Sequence, residues 1–215
     1  MKDKGRYNVS GLEEARFEPG SGDTVLQNLL GIISAEEMDI VEANALAAAM
    51  DDLLHEFDRI HRFTADDLCL IHKIWLGKIY PWAGRYRQVN ISKGGFSFAM
   101  AAQVTKLMKL FEQEQLKKYT PCLFDDNEKV VQAVAEVHTE LVLIHPFREG
   151  NGRVARILVT LMALQAGLPL LDFSIMNKQK ERYFRAVQAG LERNYKPMER
   201  LFSEVIENSV AASDG

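Results

Sequence analysis

The sequence is poor in cysteine, with two in 215 residues, Cys69 and Cys122, and neither belongs to a CxxC pair. That excludes a disulfide-held scaffold and a cysteine-based zinc site, and it suits a reducing cytoplasm. Long hydrophobic runs are missing too. The most apolar segment, Ile157 to Leu171, carries Gln165, Gly167 and Pro169 and falls short of the roughly 20 apolar residues a membrane helix needs, so it reads as a buried helix followed by a turn. Met1 to Glu14 lacks the apolar core of a secretory signal, and no membrane association is expected. Nor is there an excess of positive charge. The 26 Lys and Arg stand against 30 Asp and Glu, a formal net charge of −4, which argues against a general nucleic-acid binder with its basic footprint.

What the chain does have is 47% hydrophobic residues, enough at this length for one domain with a sizeable core. Residues 1–22 are polar and glycine-rich and close on Pro19-Gly20-Ser21-Gly22, which predicts an irregular lead-in draped over that domain. Ser34-Ala35-Glu36-Glu37 has the form of a capping box before an alanine-rich helix from Met38 to Phe57, and Thr64-Ala65-Asp66-Asp67 repeats the signal before Leu68 to Ile79. His72 shares a face with Leu68, Ile71 and Trp75 and is expected to be a hydrogen-bonded core residue; His55 and His61 are assigned no chemistry. Ala101 to Lys118 is a further amphipathic helix, and Asn127 to Ile144 is another, with Asp125 as its cap. Ser174 to Gly190 returns as a helix, and Pro197 suits the first turn of a last one running through Met198, Leu201, Phe202 and Val205.

Between these helices, after Pro81-Trp82-Ala83-Gly84-Arg85-Tyr86-Arg87, the pattern changes from helical to alternating. Val89 and Ile91 share one parity and Phe96 and Phe98 another, with Ser92-Lys93-Gly94-Gly95 between them as turn residues. The expected fold class is all-α, a helical bundle with one short β-hairpin at about residues 86–98.

Chemistry concentrates in His145-Pro146-Phe147-Arg148-Glu149-Gly150-Asn151-Gly152-Arg153-Val154-Ala155-Arg156. Pro146 ends the preceding helix near His145, and the apolar pattern from Val154 starts a new one close to Asn151. A helix start offers unpaired N–H groups and the positive end of the helix dipole to an anion. Gly150 and Gly152 let the backbone come close to a ligand. Arg153 and Arg156, three apart, share a face and suit phosphate oxygens. Glu149 fits beside a phosphate when a hard cation such as Mg²⁺ lies between them. His145 can take a proton from an attacking group, and Phe147 is expected to point into the core. His138, two turns before His145, reads as structural.

These twelve residues resemble, position for position, the signature of the Fic (filamentation induced by cAMP) domain family, His-Pro-Phe-x-Asp/Glu-Gly-Asn-Gly-Arg-x-x-Arg. The hairpin and its Tyr-Pro-Trp-Ala-Gly-x-x-Arg lead-in resemble the family's flap. The resemblance implies an enzyme that transfers AMP from ATP, its co-substrate, to a Tyr, Thr or Ser hydroxyl of a target protein and releases pyrophosphate. It implies His145 as general base, Glu149 as the Mg²⁺ ligand, Asn151, Gly152 and neighbouring amides such as that of Gly150 on the inner phosphates, and Arg153 and Arg156 on the outer ones. Tyr183 reads as a packing aromatic by itself, and the resemblance places it near the adenine. The family's flap lays the target beside it in strand fashion, which makes Ile91, Ser92 and Lys93 candidates for target contact.

Ser203-Glu204-Val205-Ile206-Glu207-Asn208 resembles the family's inhibitory motif, Ser/Thr-x-x-x-Glu-Gly/Asn. The resemblance implies that Glu207, sharing a helical face with Ser203, pairs with Arg156 where the γ-phosphate would go. Residues 1–22 are thus expected as lead-in, 23–196 as the Fic core and 197–215 as a self-inhibitory helix and tail. Two other readings stay open: a Fic-fold enzyme that moves another phosphate-containing group or removes AMP, and a non-catalytic nucleotide-binding or toxin-like interaction module. A homo-oligomer is compatible with the sequence.

Overall fold

The computed structural model describes residues 11–213; the first ten positions of the expected lead-in and the last two of the tail lie outside that range. Residues 11–34 are mostly irregular, with a short helical turn at Glu13–Ala15 and an isolated bridge between Phe17 and Leu26. Helix α1 (Ala35–Glu56) starts where the Ser34 hydroxyl accepts the Glu37 N–H. Helix α2 (Ala65–Leu76) has the full capping box: Thr64 Oγ1 accepts the Asp67 N–H at 3.2 Å and the Asp67 carboxylate accepts the Thr64 N–H at 2.8 Å.

The hairpin is real but shorter than the alternation suggested. Strands β1 (Ser92–Lys93) and β2 (Phe96–Ser97) pair antiparallel, Lys93 opposite Phe96. The turn is Gly94-Gly95 alone rather than Ser92 to Gly95. Both glycines have positive φ, 57° and 80°, the two-residue geometry that matches strand twist. Ser92 and Lys93 are therefore strand residues with exposed side chains, and Ile91 lies just outside, its carbonyl accepting the Phe98 N–H.

Helix α3 (Ala101–Phe111) passes into a π-helical turn over Glu112–Leu116 and ends in the short α4 (Lys117–Tyr119). The expected helix is thus one continuous helical run that carries a π-turn. Helix α5 (Asn127–Ile144) is capped by Asp126, whose carboxylate accepts the Glu128 N–H at 2.9 Å, not by Asp125. Helix α6 (Asn151–Gln165) follows. The expected helix from Ser174 to Gly190 is split into α7 (Ser174–Lys178) and α8 (Lys180–Ala189), because Gln179 leaves helical geometry at φ −111°, ψ 50°. Helix α9 (Lys196–Ser213) closes the described chain.

Helices α5 and α6 form the centre of the bundle. They pack on each other; α9 also packs against α5, and α2 packs between α1 and α6. Val134, Val137, Leu141, Val154, Leu158 and Met162 on these two helices are fully buried. The junction between the two central helices is thus held on a rigid base, and it is where the twelve-residue motif lies.

Candidate active site

Helix α5 ends at His145, whose backbone is left-handed (φ 54°, ψ 59°), a conformation unusual for a residue with a side chain. Its surroundings hold it there. The His145 N–H still bonds to Leu141 O, and its carbonyl accepts from Arg87 Nε at 2.6 Å. His145 Nδ1 lies 3.1 Å from Val142 O. A carbonyl can only accept, so Nδ1 carries the proton and Nε2 keeps the lone pair. Burial pushes the His145 pKa down to about 4, with the nearby Arg87 charge adding to the effect. The imidazole is therefore neutral at physiological pH. Phe98 of the flap covers it, the rings stacked at 3.6 Å between centroids.

Beyond His145 the loop is clamped by one side chain. The Asn151 carboxamide accepts the Phe147 N–H at 2.7 Å and donates to the Phe147 carbonyl at 2.8 Å. The sequence expectation placed Asn151 on a phosphate; its side chain is committed to the loop, which leaves its backbone N–H for a ligand. Phe147 is fully buried and stacks on His72 at 4.1 Å. His72 in turn accepts the Gly84 N–H on Nδ1 at 2.8 Å, so Nε2 donates to Glu149 O at 3.2 Å. The core histidine of α2 thus supports the motif loop, and burial lowers its pKa to about 4. At Gly150 (φ 81°) a Cβ would lie 2.6 Å from the Trp75 ring, so the tight start of α6 requires glycine on both counts.

The loop, the flap and α8 enclose a cavity of about 630 Å³. His145, Glu149, Gly150, Asn151, Gly152, Arg153 and Arg156 line one side, Lys93, Phe96 and Phe98 the flap side, and Tyr183, Phe184 and Val187 the α8 side. The sequence-predicted residues of the motif, one flap residue and Tyr183 therefore share one space. Ile91 and Ser92 do not line it. Tyr183 is held from behind by His138, whose Nε2 is 3.0 Å from the Tyr183 hydroxyl. His138 is fully buried, and burial together with the Arg156 charge lowers its pKa to about 3.

The two arginines are differently placed. Arg153 lies 2.7 Å from the Glu42 carboxylate of α1 and over the Trp75 ring at 4.6 Å. Arg156 lies over the Phe173 ring at 5.2 Å and forms no salt bridge among the described residues. Glu149 is about half exposed, and its Oε1 accepts the Gly150 N–H at 2.9 Å. No cluster of three or more metal-ligating side chains occurs among the described residues. A lone carboxylate at the mouth of a polyphosphate site nevertheless fits Mg²⁺, which takes one or two carboxylates and completes its shell with phosphates and water.

The pairing of Glu207 with Arg156 that the resemblance implies is not made among the described residues. Glu207 is exposed and lines a separate hollow with Lys129, Gln132 and Lys196. At 100° per residue Glu207 lies almost opposite the inward stripe of Met198, Val205 and Ser209, which are all buried. Ser203 shares the hollow, and its hydroxyl donates to Glu199 O within the helix. Residues 197–213 are an integral packing helix of the bundle.

Sequence reasoning named Arg87 only as the last residue of the flap lead-in, with no role, and missed Glu42; both charged residues shape this site. Arg87 is 2% exposed and donates to the carbonyls of His145, Ile144, Val89 and Ala99, tying both roots of the flap to the motif. Glu42 lies on the buried face of α1 with Met38, Ala49 and Leu53, and a carboxylate on an otherwise apolar stripe was the available signal.

A neutral, half-buried histidine facing a helix N-terminus with two arginines, in a helical bundle roofed by a hairpin, is the arrangement expected of a Fic-fold domain. The comparisons agree. The Fic/DOC family model matches residues 62–163. The chain is 30% identical over 194 residues to the probable protein adenylyltransferase Fic of Salmonella typhimurium, covering 87% of this chain and 90% of that protein. It is 32% identical over 170 residues to the protein adenylyltransferase VbhT of Bartonella schoenbuchensis, covering 79% of this chain but 34% of that longer protein. The N-terminal Fic domain of a Bartonella quintana effector, solved with bound ADP, superposes with a TM-score of 0.71 at 26% identity, over 90% of this chain and 94% of that one. The chain belongs to the Fic/DOC family.

Proposed function

We propose that this protein transfers AMP from ATP to a hydroxyl side chain of a target protein. The observation that carries the reading is the state of His145. It is neutral, its Nδ1 proton is fixed on Val142 O, and its Nε2 is free to accept a proton beside a cavity walled by two arginines and a helix start. The names of relatives at about 30% identity and the ADP bound to the Bartonella quintana domain support the same reading.

In the reaction the target hydroxyl gives its proton to His145 Nε2 as its oxygen bonds to the α-phosphorus. The bond from that phosphorus to the bridging oxygen breaks, and pyrophosphate leaves. The N–H groups at the start of α6 and the guanidiniums of Arg153 and Arg156 face the charge that moves onto the phosphate oxygens. Glu149 would hold Mg²⁺, which when bound offsets polyphosphate charge. Tyr183 and Phe184 offer an apolar wall for the base. The Ser92 and Lys93 edge of the flap offers backbone groups to a target segment, so a Tyr, Thr or Ser could be presented without strong sequence demands. The free thiols of Cys69 and Cys122 suit the reducing cytoplasm in which we place the protein.

Incubation with α-labelled and γ-labelled ATP tests the reading. Label on a target protein from the α position alone is expected, and it is lost in His145→Ala while ATP binding persists. Label from the γ position alone would mean phosphorylation, and no label in the presence of bound ATP would mean a binding module.

A further inference from the structure

We propose that Glu42 is a positioning residue for Arg153, and that through it the first helix of the bundle sets how strongly the site discriminates nucleotides by their outer phosphates. This inference rests on the nucleotide-binding reading above.

Glu42 is 103 residues from His145 in sequence, and its side chain is 4% exposed. It does not line the cavity. Each of its carboxylate oxygens has a partner: Oε1 accepts from the Tyr80 hydroxyl at 2.7 Å, and Oε2 lies 2.7 Å from Arg153 Nη2. Its main-chain carbonyl accepts from Trp75 Nε1 at 2.9 Å, and the Trp75 ring lies under the Arg153 guanidinium. The guanidinium is thus fixed by a carboxylate at one edge and an indole on one face. These two contacts come from the protein side, while on the cavity side Glu149 Oε1 lies further off, 3.7 Å from the same Nη2, and Arg153 still lines the cavity with a third of its side chain exposed.

A guanidinium presents its donors in a rigid plane, so fixing one edge and one face fixes the direction of the donors that remain. A buried carboxylate partner also offsets part of the Arg153 charge, which keeps two neighbouring arginines from repelling each other in an empty site. Arg156, three residues on, has an aromatic face but no such carboxylate. The pair is therefore asymmetric: Arg153 is a fixed, charge-compensated donor and Arg156 an uncompensated one. Loss of Glu42 would release the plane of Arg153, and its effect must fall on ligands that have phosphates for Arg153 to hold.

Calorimetric affinities for ATP and AMP on the whole chain test this. Glu42→Gln keeps the shape and removes the charge; Tyr80→Phe removes the other partner of the same carboxylate and serves if the glutamine variant does not fold. In Glu42→Gln the ATP affinity is expected to drop about tenfold, the lower end of what loss of an outer positioning partner costs at metal sites, while AMP affinity stays within about twofold. Tyr80→Phe shows the same selective loss at smaller size. In an Arg153→Ala background Glu42→Gln should change ATP affinity no further, since its effect runs through Arg153. Equal losses for ATP and AMP, or a further loss in that background, would show a packing role and overturn the proposal. A gain in ATP affinity would overturn it too, by making Glu42 a competitor for the arginine. If the wild-type chain binds neither nucleotide, the functional reading itself fails; if it prefers ATP and Glu42→Gln leaves that preference unchanged, this proposal fails alone.

Discussion

Phe98 of the flap lies parallel to the imidazole of His145, within 17°, and the contact makes the flap part of that ring's electrostatic environment. An aromatic ring on one face excludes water from the imidazole, and desolvation is the leading cause of its lowered pKa. Phe98→Ala should let water in and raise the pKa from about 4 towards 6.5, by about one unit or more. Titration of the His145 ring by NMR reads this directly. A pKa that does not move would mean that the burial comes from the bundle and not from the flap.

Acid stability follows from three histidines. His72 and His145 are held near 4 and His138 near 3, all below the ordinary 6.5. Each is neutral in the fold and protonates in the unfolded chain once the pH drops below about 6.5. Their depressed values therefore leave stability intact above that pH, and it is lost as the pH falls through the interval down to 4 and 3. Each histidine adds a slope of up to about 1.4 kcal/mol per pH unit. Urea midpoints at pH 7.5 and 5.0 should differ clearly, the lower pH being less stable; equal midpoints would show that these rings are not held neutral.

Gly150→Ala asks for a side chain where φ is 81° and where its first carbon would lie 2.6 Å from Trp75. A loss of about 2–4 kcal/mol is expected from strain and overpacking together. The displaced Trp75 should also loosen Arg153 and weaken ATP binding. A melting temperature equal to that of wild type would contradict the geometry at the start of α6.

Arg87→Met would strand the carbonyls of His145, Ile144, Val89 and Ala99 in the interior. A loss of about 3–5 kcal/mol is expected, by analogy with breaking a buried ionic contact and leaving its partners unsatisfied. Limited proteolysis should also find the flap, since both of its roots are released. Wild-type urea stability in this variant would show that the guanidinium is dispensable.

Glu207→Gly should leave AMP transfer within about twofold of wild type, because its side chain faces a hollow that Arg156 does not line. A large increase in labelling, with an accepted target present, would show that α9 can deliver Glu207 to the site after all.

The motif was legible because its chemistry is local. Twelve consecutive residues contain the histidine, the carboxylate, the turn and both arginines, and a proline and a glycine mark where the helices end and begin. The helices were legible from periodicity and caps, apart from the π-turn at Glu112–Leu116 and the break at Gln179, neither of which a breaker residue announces. The hairpin register was misjudged because Ser92 and Lys93 look like turn residues and serve as strand. Glu207 was misplaced because spacing gives which residues share a helical face and not which way the face points; the apolar stripe of α9 decides that. Glu42 and Arg87 act through contacts 111 and 58 residues away in sequence, with Arg153 and His145, and no local pattern encodes a partner at such a distance.

The double clasp between the Asn151 carboxamide and the Phe147 peptide has a consequence for the kinetics of nucleotide capture. A loop whose peptide groups are already pinned surrenders little freedom when a polyphosphate settles on it. Association should then follow one bimolecular phase whose observed rate rises linearly with ATP concentration, without a slow rearrangement of the loop to limit it.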